Sequence, residues 1–238
     1  AIGLAGRATI DANHAGLTHP HARTGEYNLN PLRQEIEEIG RKADVHFSLG
    51  TVLDEDKRVL KVFFGSPLAV MDAAIPFVRQ SFGVEVPAPY DLVIASPGGA
   101  PKDINLYQSQ KGLTHAARIT RDGGWVFLLA ACPEGSGSAS YEDYILNADS
   151  HSAVIDHFES GFFQVGPHKA LQIAREAVRI NIVLISDIPP KTVKTWKLTP
   201  SKPELINDLI SWISNQIPAD ARVAILPAAT RTMTEVRK

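Results

Sequence analysis

The sequence is short of cysteine, of long apolar runs and of net charge, and each shortage excludes a class of protein. A single cysteine, Cys132, leaves no internal disulfide and no four-thiolate metal site. No apolar run reaches the about 18 residues that span a bilayer, and no signal peptide is visible. The formal net charge of −2 gives no long-range attraction to nucleic acid or to an anionic membrane surface. We therefore expect a cytoplasmic protein that binds neither nucleic acid nor membrane.

What is present is the composition of an ordinary globular protein. Hydrophobic residues make up 44% of the 238 positions and charged residues 21%. This length suffices for one large domain or two small ones with a substantial core. The chain begins at Ala1, without methionine, inside a segment that reads as structured. Removal of an initiator methionine and a longer parent protein both explain this start, and composition does not separate them.

Short apolar runs predict six β-strands. The runs around Leu92, Val126 and Ile182 are continuous, which is typical of strands buried on both faces of a parallel or mixed sheet. The strands near residues 59 and 223 are candidates for antiparallel edges. The six predicted strands are 45–52, 59–64, 91–95, 125–131, 182–186 and 223–226.

Segments with helical periodicity alternate with these strands. The last of them carries a broad apolar stripe that is expected to be buried, and Pro76 is expected to kink or break the second. Strand–helix alternation without a convincing linker predicts an α/β fold, a layered, mixed, mostly parallel sheet covered by helices, in a single domain over residues 1–238. The predicted helices are 31–43, 67–82, 103–118, 140–146, 168–178 and 203–217.

The stretch after the strand 91–95 is the strongest candidate for a ligand site, because ligands of open α/β sheets bind beyond the carboxyl ends of strands. It begins with the turn Ser96-Pro97-Gly98-Gly99, and Asp103 is a suitable N-cap for the helix that follows. Backbone N–H groups at the turn and at the helix start favour an anion.

The helix after this turn carries three polar side chains at helical spacing, Tyr107, Gln108 and Lys111. A phenol, an amide and an ammonium together suit a carboxylate with a neighbouring hydroxyl or carbonyl. The pattern is neither a dinucleotide-binding fingerprint nor a Walker loop. The alternative is an ordinary turn, in which Gly98 and Gly99 have no ligand, followed by a solvated helix face.

A second strand–turn–helix stretch, residues 131–144, is rich in glycine and serine. Glycines admit close approach of a ligand to the backbone. The alternative is a flexible loop in which Ser140 serves as a helix N-cap. Cys132 is expected to be a small buried apolar residue, since no histidine partner for a thiolate is evident.

Three histidines, His14, His19 and His21, lie within eight residues of one another. Neutral imidazole is a standard ligand of nickel, zinc and copper, so the group is a candidate metal site. Its spacing is not the i, i+4 pair of a helical zinc protease, and a lone histidine is more often structural.

Three further polar residues each allow two interpretations. Arg23 and Asn30 either contact an anion or fix their loop. His168, which opens a helix with Lys169, is either a site residue or a surface cap. The helix dipole favours the neutral form of an imidazole at that end.

Together these stretches resemble one protein family over nearly the whole chain, the nickel-dependent lactate racemases of the LarA type. The most specific match runs from Gly98 to Gln108 and ends at Lys111. The other matches, in chain order, are Thr9-Ile10 through Asn13-His14, Ala22-Arg23-Thr24-Gly25 with Asn30-Pro31, Val52 through Lys57, Asp122-Gly123-Gly124, Glu134-Gly135-x-Gly137 and Ser186-Asp187.

The resemblance implies a two-domain enzyme in which this chain is the carboxyl-terminal domain and the amino-terminal domain of the same protein is its partner. It also implies a nickel-pincer nucleotide, a pyridinium mononucleotide that holds nickel through one carbon and two sulfurs. His14 stands where the family's nickel ligand is expected. Asn13, Gly98 and Gly99 are expected to contact the cofactor.

The same resemblance assigns Gln108 and Lys111 to the carboxylate of a small 2-hydroxy acid substrate, with Tyr107 and His168 beside it. Racemisation by hydride transfer also needs two general bases, and the family places those histidines in its amino-terminal domain. The family has a cofactor-tethering lysine just before the position of Ala1, so this chain alone is expected to be inactive. His168 replaces a tryptophan of lactate-specific members, which favours a larger or more polar 2-hydroxy acid.

Two other functions compete with this interpretation. One is a non-catalytic module of the same fold that binds a carboxylate or a nucleotide. The other is a zinc hydrolase that uses His14, His19 and His21 as ligands.

Overall fold

The computed structural model describes residues 5–160 and 168–237, and these fall into two compact units. The first unit comprises residues 5–83, and the second comprises residues 84–160 together with 168–237. The sequence predicts one domain because no linker interrupts it. The boundary between the two units has no linker either, since a helix that ends at Phe82 is followed at once by a strand that begins at Gly83. The chain start at Ala1 and the Gly166-Pro167 pair lie outside the described residues.

The first unit combines three helices with one β-hairpin. Its elements are α1 (Arg7–Ala15), a 3-10 turn (Gly16–Thr18), α2 (Pro31–Lys42), β1 (Ser48–Leu53), β2 (Val59–Gly65) and α3 (Pro67–Phe82). β1 and β2 pair antiparallel. The predicted helices at 31 and 67 are confirmed, and α3 continues through Pro76 without a break. α1 was not predicted, because its sequence is mostly small and polar.

The second unit is built on a five-stranded sheet. Its elements are β3 (Gly83–Val86, which enters this unit at Val84), β4 (Tyr90–Ala95), α4 (Leu106–Arg118), β5 (Thr120–Leu129), α5 (Ala139–Asn147), α6 (His151–Glu159), α7 (His168–Ala177), β6 (Asn181–Ile185), α8 (Pro190–Thr195), β7 (Thr199–Ser201), α9 (Ile206–Ile213), β8 (Val223–Leu226) and β9 (Met233–Val236). The sheet order is β7-β6-β5-β4-β8, and every pair is parallel. The predicted α/β fold with a mostly parallel sheet is confirmed.

Some element predictions were wrong. β8 is an edge strand, but it pairs parallel with β4, with Leu92 opposite Val223. The antiparallel pair β1–β2 forms its own hairpin and is not an edge of the main sheet. Three further elements, α6, α8 and β7, lie in segments for which the sequence predicts no helix or strand.

The crossovers of the sheet place α4 and α7 side by side on one face. Right-handed crossovers put successive helices on the same face while the chain moves in one direction along the sheet, as it does from β4 to β6. α9 covers the opposite face, where Ile213 joins Leu92 and Phe127 in the core. Both α4 and α7 begin at the carboxyl edge of the sheet, so residues 106–111 and 168–172 are neighbours.

The apolar stripe predicted for the last helix is only partly buried. Ile213 is 1% exposed, whereas Leu205 and Trp212 are 45% and 41% exposed. α9 has only eight residues, so its one core-facing stripe consists of Ile206, Leu209 and Ile213. Across the described ranges, no helix is long and apolar enough to cross a membrane.

Candidate functional site

The first two turns of α4 and the start of α7 bring four predicted site residues together. The Nζ of Lys111 donates a 2.8 Å hydrogen bond to Oε1 of Gln108. The ring of Tyr107 lies edge-on to the ring of His168, with centroids 5.9 Å apart. A fifth side chain, Lys169, places its Nζ 4.7 Å from the centroid of the Tyr107 ring. We call these five residues the α4–α7 cluster.

The α4–α7 cluster contains two ammonium groups and no carboxylate. Lys111 bonds to the amide of Gln108, and Lys169 bonds to the amides of Gln110 and Gln172. Within the part of the chain that the structure describes, neither lysine forms an ion pair with an acidic side chain. Uncompensated positive charge at this edge of the sheet favours an anionic ligand.

The backbone N–H groups at the start of α4 are already occupied, so the prediction that they bind an anion was wrong. Leu106 and Tyr107 donate their N–H groups to the carbonyls of Gly135 and Ser136, both at 3.0 Å. Gln108 donates its N–H to Oδ1 of Asn105, also at 3.0 Å. These bonds satisfy donors that a helix start leaves free, so the backbone at the start of α4 is not available to an anion.

The N-cap of α4 is Asn105, and the prediction of Asp103 was therefore also wrong. Asp103 is used elsewhere, since its Oδ2 accepts a hydrogen bond from the N–H of Ala131 and its carbonyl accepts one from Cys132. The helix consequently begins three residues later than expected, at Leu106.

The glycine turn after β4 needs glycine for its backbone. Gly98 and Gly99 have φ of +106° and +71°, in the region that L side chains rarely adopt. Gly98 donates its N–H to Oγ of Ser96 at 3.1 Å. A Cβ on Gly99 would meet no atom within 4 Å, so this position is open to a close neighbour. Contact of the two glycines with a cofactor stays a prediction.

The glycine-rich loop at 132–137 serves to hold α4. Its carbonyls accept the first N–H groups of the helix, and Gly137 lies against the capping side chain, where a Cβ would come 2.3 Å from Cγ of Asn105. The loop ends at Ser138, whose Oγ caps α5, so the prediction of Ser140 as N-cap was wrong. Packing therefore explains Gly137, whereas Gly135 is explained by its φ of +64°.

Lys169 is the site residue that sequence reasoning missed. It is 7% exposed, and its ammonium donates to Oε1 of Gln110 at 2.9 Å and of Gln172 at 2.8 Å. Burial, and then the charge of Lys111, lower the pKa of Lys169 to about 8. In the sequence, Lys169 simply follows His168 at a helix start. The partner that marks it as a buried residue, Gln110, is 59 positions away and could not be recognised from the local sequence.

We expect Lys169 to make the protein more stable as the pH rises from about 8 to 10.5. The pKa of this lysine is lowered from 10.5 to about 8 in the fold, so the unfolded chain binds more protons in that window. The full difference between the two pKa values corresponds to about 3 kcal/mol in the free energy of unfolding. This stabilisation is gained as the pH rises towards 10.5 and is lost as the pH falls back to the folded pKa of about 8. Thermal midpoints measured across this window should rise more in the wild type than in Lys169→Met. Parallel curves would contradict the prediction.

Cys132 is buried and chemically quiet. It is 1% exposed, its Sγ lies 3.6 Å from Oγ of Ser109, and burial raises its pKa to about 11. We expect no reaction with an aromatic disulfide reagent in the native protein near pH 8, and one reactive thiol per chain after denaturation. Rapid labelling of the native protein would contradict the prediction, because it requires an accessible thiolate.

In the first unit, His14 lies half-buried in the last turn of α1. The rings of His19 and His21 lie 5.6 Å apart, and Nδ1 of His21 is 3.8 Å from Oε2 of Glu26. No three histidine, cysteine, aspartate or glutamate side chains of the described residues are grouped to hold a metal ion. The three-histidine zinc site is therefore not formed. The role of His14 as the protein ligand of a nickel cofactor stays a prediction.

Asn13 connects α1 to α2. Its Nδ2 donates to the carbonyl of Leu32 at 3.1 Å and to Oε2 of Glu35 at 2.8 Å, while its buried Oδ1 has no partner among the described residues. One half of this amide is thus structural, and its contact with a cofactor stays a prediction.

Asn30 fixes its loop, which was one of its two predicted roles. Its Oδ1 accepts hydrogen bonds from the N–H groups of Leu32 and Arg33, so that it caps α2. Arg23 is exposed, and its role as an anion contact stays a prediction.

Comparison with known sequences assigns most of the second unit to one family. The family model of the lactate racemase C-terminal domain matches residues 86–233, more than half of the chain. The lactate racemase of Lactiplantibacillus plantarum is 30% identical over 191 residues, which cover 78% of this chain and 45% of that protein. The lactate racemase of Thermoanaerobacterium thermosaccharolyticum is 27% identical over 231 residues, which cover 94% of this chain and 54% of that protein. The chain thus spans about half the length of these relatives.

Solved structures agree with the sequence comparison. The lactate racemase apoprotein of Thermoanaerobacterium thermosaccharolyticum superposes with a TM-score of 0.89 at 26% identity, covering 96% of this chain and 55% of that one. A protein of Thermotoga maritima shares the fold at 15% identity, with a TM-score of 0.60, covering 87% of this chain and 54% of that one. The chain belongs to the lactate racemase family, and residues 86–233 match the C-terminal domain of that family.

Proposed function

We propose that this chain is the substrate-holding part of a racemase or epimerase of 2-hydroxy acids that works with a nickel-pincer nucleotide. The observation that carries the proposal is the hydrogen-bonded pair Lys111–Gln108 in a chain of the lactate racemase family. Since the relatives are about twice as long, we further propose that the amino-terminal domain of the same protein is its partner.

A carboxylate suits the Lys111–Gln108 pair. An ammonium has three donors, of which Gln108 takes one, and the Nε2 of Gln108 adds two more. Hydrogen bonds from an ammonium to a carboxylate are roughly twice as strong as those between neutral groups. Lys111 is exposed and Gln108 is half-buried, so both are accessible to an incoming acid.

Holding the carboxylate keeps the substrate in place while its α-carbon changes configuration. Racemisation removes a hydride from the α-carbon and a proton from the hydroxyl, and then returns both, with the hydride on the other face of the planar 2-keto acid. A fixed carboxylate lets either face be presented without release. Two general bases are needed, one for each face, whereas the α4–α7 cluster contains one histidine. We place both bases on the amino-terminal domain.

His14 is the residue proposed to bind nickel. The nucleotide cofactor would serve as hydride acceptor and donor, and it supplies three of the metal's donor atoms. One protein imidazole would then be sufficient. Asn13, Gly98 and Gly99 are proposed to contact the nucleotide.

The test is a panel of 2-hydroxy acids incubated with the complete gene product, made alongside the enzymes that build the cofactor. Intact mass and metal content report loading, and chiral chromatography follows interconversion of the enantiomers. Lys111→Met should raise KM about 10–100-fold, because it removes a charged hydrogen bond to the substrate. Lys42→Met, at an exposed lysine of α2, is the control and should leave KM unchanged.

Two results would contradict the proposal. A nickel-loaded protein that interconverts no acid of the panel would do so, as would an unchanged KM in Lys111→Met. If neither nickel nor added mass is found despite a verified cofactor supply, the non-catalytic carboxylate-binding module becomes the better explanation.

A further inference from the structure

We propose that the α4–α7 cluster binds a second carboxylate, so that the preferred substrate is a 2-hydroxy dicarboxylic acid. The inference rests on the proposed function, in which Lys111 and Gln108 take the carboxylate next to the reacting hydroxyl. Lys169 takes the other carboxylate.

The environment of Lys169 lacks the acid that a buried ammonium normally has. The side chain is 7% exposed, and the oxygens of Gln110 and Gln172 accept two of its hydrogen bonds at 2.9 Å and 2.8 Å. Both partners are neutral, and no acidic side chain of the described residues pairs with it. An ammonium has three donors, so one is left for a ligand. Buried cations are rarely retained without a counter-charge, and a bound anion would supply it.

The position of Lys169 connects it to the proposed carboxylate site. Its Nζ lies over the ring of Tyr107, the residue next to Gln108 in the first turn of α4. The charge of Lys111 also acts on it, since that charge adds to burial in lowering the pKa of Lys169. The two ammonium groups therefore share one region of the surface and repel each other.

A dianionic substrate removes this repulsion and a monoanionic one does not. With one carboxylate on Lys111, a lactate-like acid leaves Lys169 buried and unpaired. A second carboxylate on Lys169 compensates both charges and fixes the substrate at two ends. The site discriminates against the monoanionic acid because its binding leaves Lys169, a charged and desolvated group, without an anionic partner.

A phosphate is the other anion that would suit Lys169, and the proposed cofactor is a mononucleotide. We favour the carboxylate because Tyr107 places Lys169 directly beside the pair that holds the reacting acid. Competition by inorganic phosphate is therefore included in the test as a result that would overturn the inference.

The experiment compares 2-hydroxysuccinate with its monoamide at the distal carboxyl, two molecules of one shape that differ by one charge. Binding is measured by calorimetry on the complete protein, and kcat/KM is measured on the cofactor-loaded form. We expect the diacid to be preferred about 10–100-fold, the ratio that one charged hydrogen bond provides. Lys169→Met should bring the ratio near one, Lys169→Arg should retain most of it, and Lys111→Met should weaken both ligands alike.

Failure of the inference is distinguishable from failure of the proposed function. Diacid and monoamide that bind equally to the wild type overturn the inference, whether or not any acid is turned over. Inorganic phosphate that competes in the micromolar range, and only while Lys169 is present, overturns it by assigning the lysine to phosphate. Absence of turnover with a diacid preference that depends on Lys169 supports the second carboxylate site and contradicts the racemase instead. If Lys169→Met does not fold, the preference of the wild type for the diacid over the monoamide still tests the inference.

Discussion

Replacing His14 with alanine is expected to remove nickel from the cofactor-loaded protein and to lower racemase activity by more than about 100-fold. Loss of residues that merely orient a metal ligand typically costs 10–100-fold, and loss of the single protein ligand should cost more. Alanine is the best helix former, so α1 should keep its structure. Nickel per chain and intact mass measured after purification check the prediction.

The neighbouring histidines provide the control for this experiment. His19→Ala and His21→Ala lie outside α1 and should keep nickel and activity. Equal nickel loss in all three variants would point to a general effect of the histidine segment. Nickel retained in His14→Ala would contradict the assignment of the ligand. Circular dichroism of each variant verifies that the fold is intact.

Replacing Gly137 with alanine is expected to destabilise the second unit by about 2 kcal/mol. The φ of +72° already costs an alanine about 1 kcal/mol, and its Cβ would lie 2.3 Å from Cγ and 2.4 Å from Nδ2 of Asn105. Asn105 would have to move, which breaks its bond to the N–H of Gln108, and loss of such a cap costs about 1 kcal/mol. Thermal or denaturant unfolding of the variant measures the change.

Gly135→Ala is a matched control in the same loop. Gly135 also has a positive φ, +64°, but a Cβ there meets no atom within 4 Å. It should therefore show only the conformational cost of about 1 kcal/mol. Equal destabilisation by the two substitutions would mean that contact with Asn105 does not matter. Weaker substrate binding in Gly137→Ala alone would indicate that the cap also positions Gln108.

Elements with strong local signals could be predicted from the sequence. α3 was predicted with its observed bounds, Pro67–Phe82, because proline at the first helical position is pre-organised for a helix start. β8 was predicted at Val223–Leu226, and the core of β5 was found from its unbroken apolar run. The prediction of β8 as antiparallel failed, because strand direction depends on the crossover and not on the strand itself.

The candidate site was predictable only as far as its residues lie on one helix face. Tyr107, Gln108 and Lys111 were found by their spacing on α4. Lys169 was missed because its burial depends on Gln110 and Gln172, one of which comes from another helix. Asp103 and Asn105 are both good capping residues by type. Asn105 caps the helix because the carboxylate of Asp103 accepts a hydrogen bond from the N–H of Ala131 instead.

Asn105 and the carbonyls of Gly135 and Ser136 together form a clamp that holds the start of α4. This clamp affects how such proteins diversify in evolution. Asn105 and the carbonyls of Gly135 and Ser136 satisfy the first backbone donors, so the helix needs neither a bound acid nor particular side chains at 108 and 111 to form. Mutations at these two positions therefore carry little penalty in stability. Natural selection can replace one recognised acid by another without first acquiring a compensating mutation elsewhere, whereas the loop that forms the clamp must stay as it is.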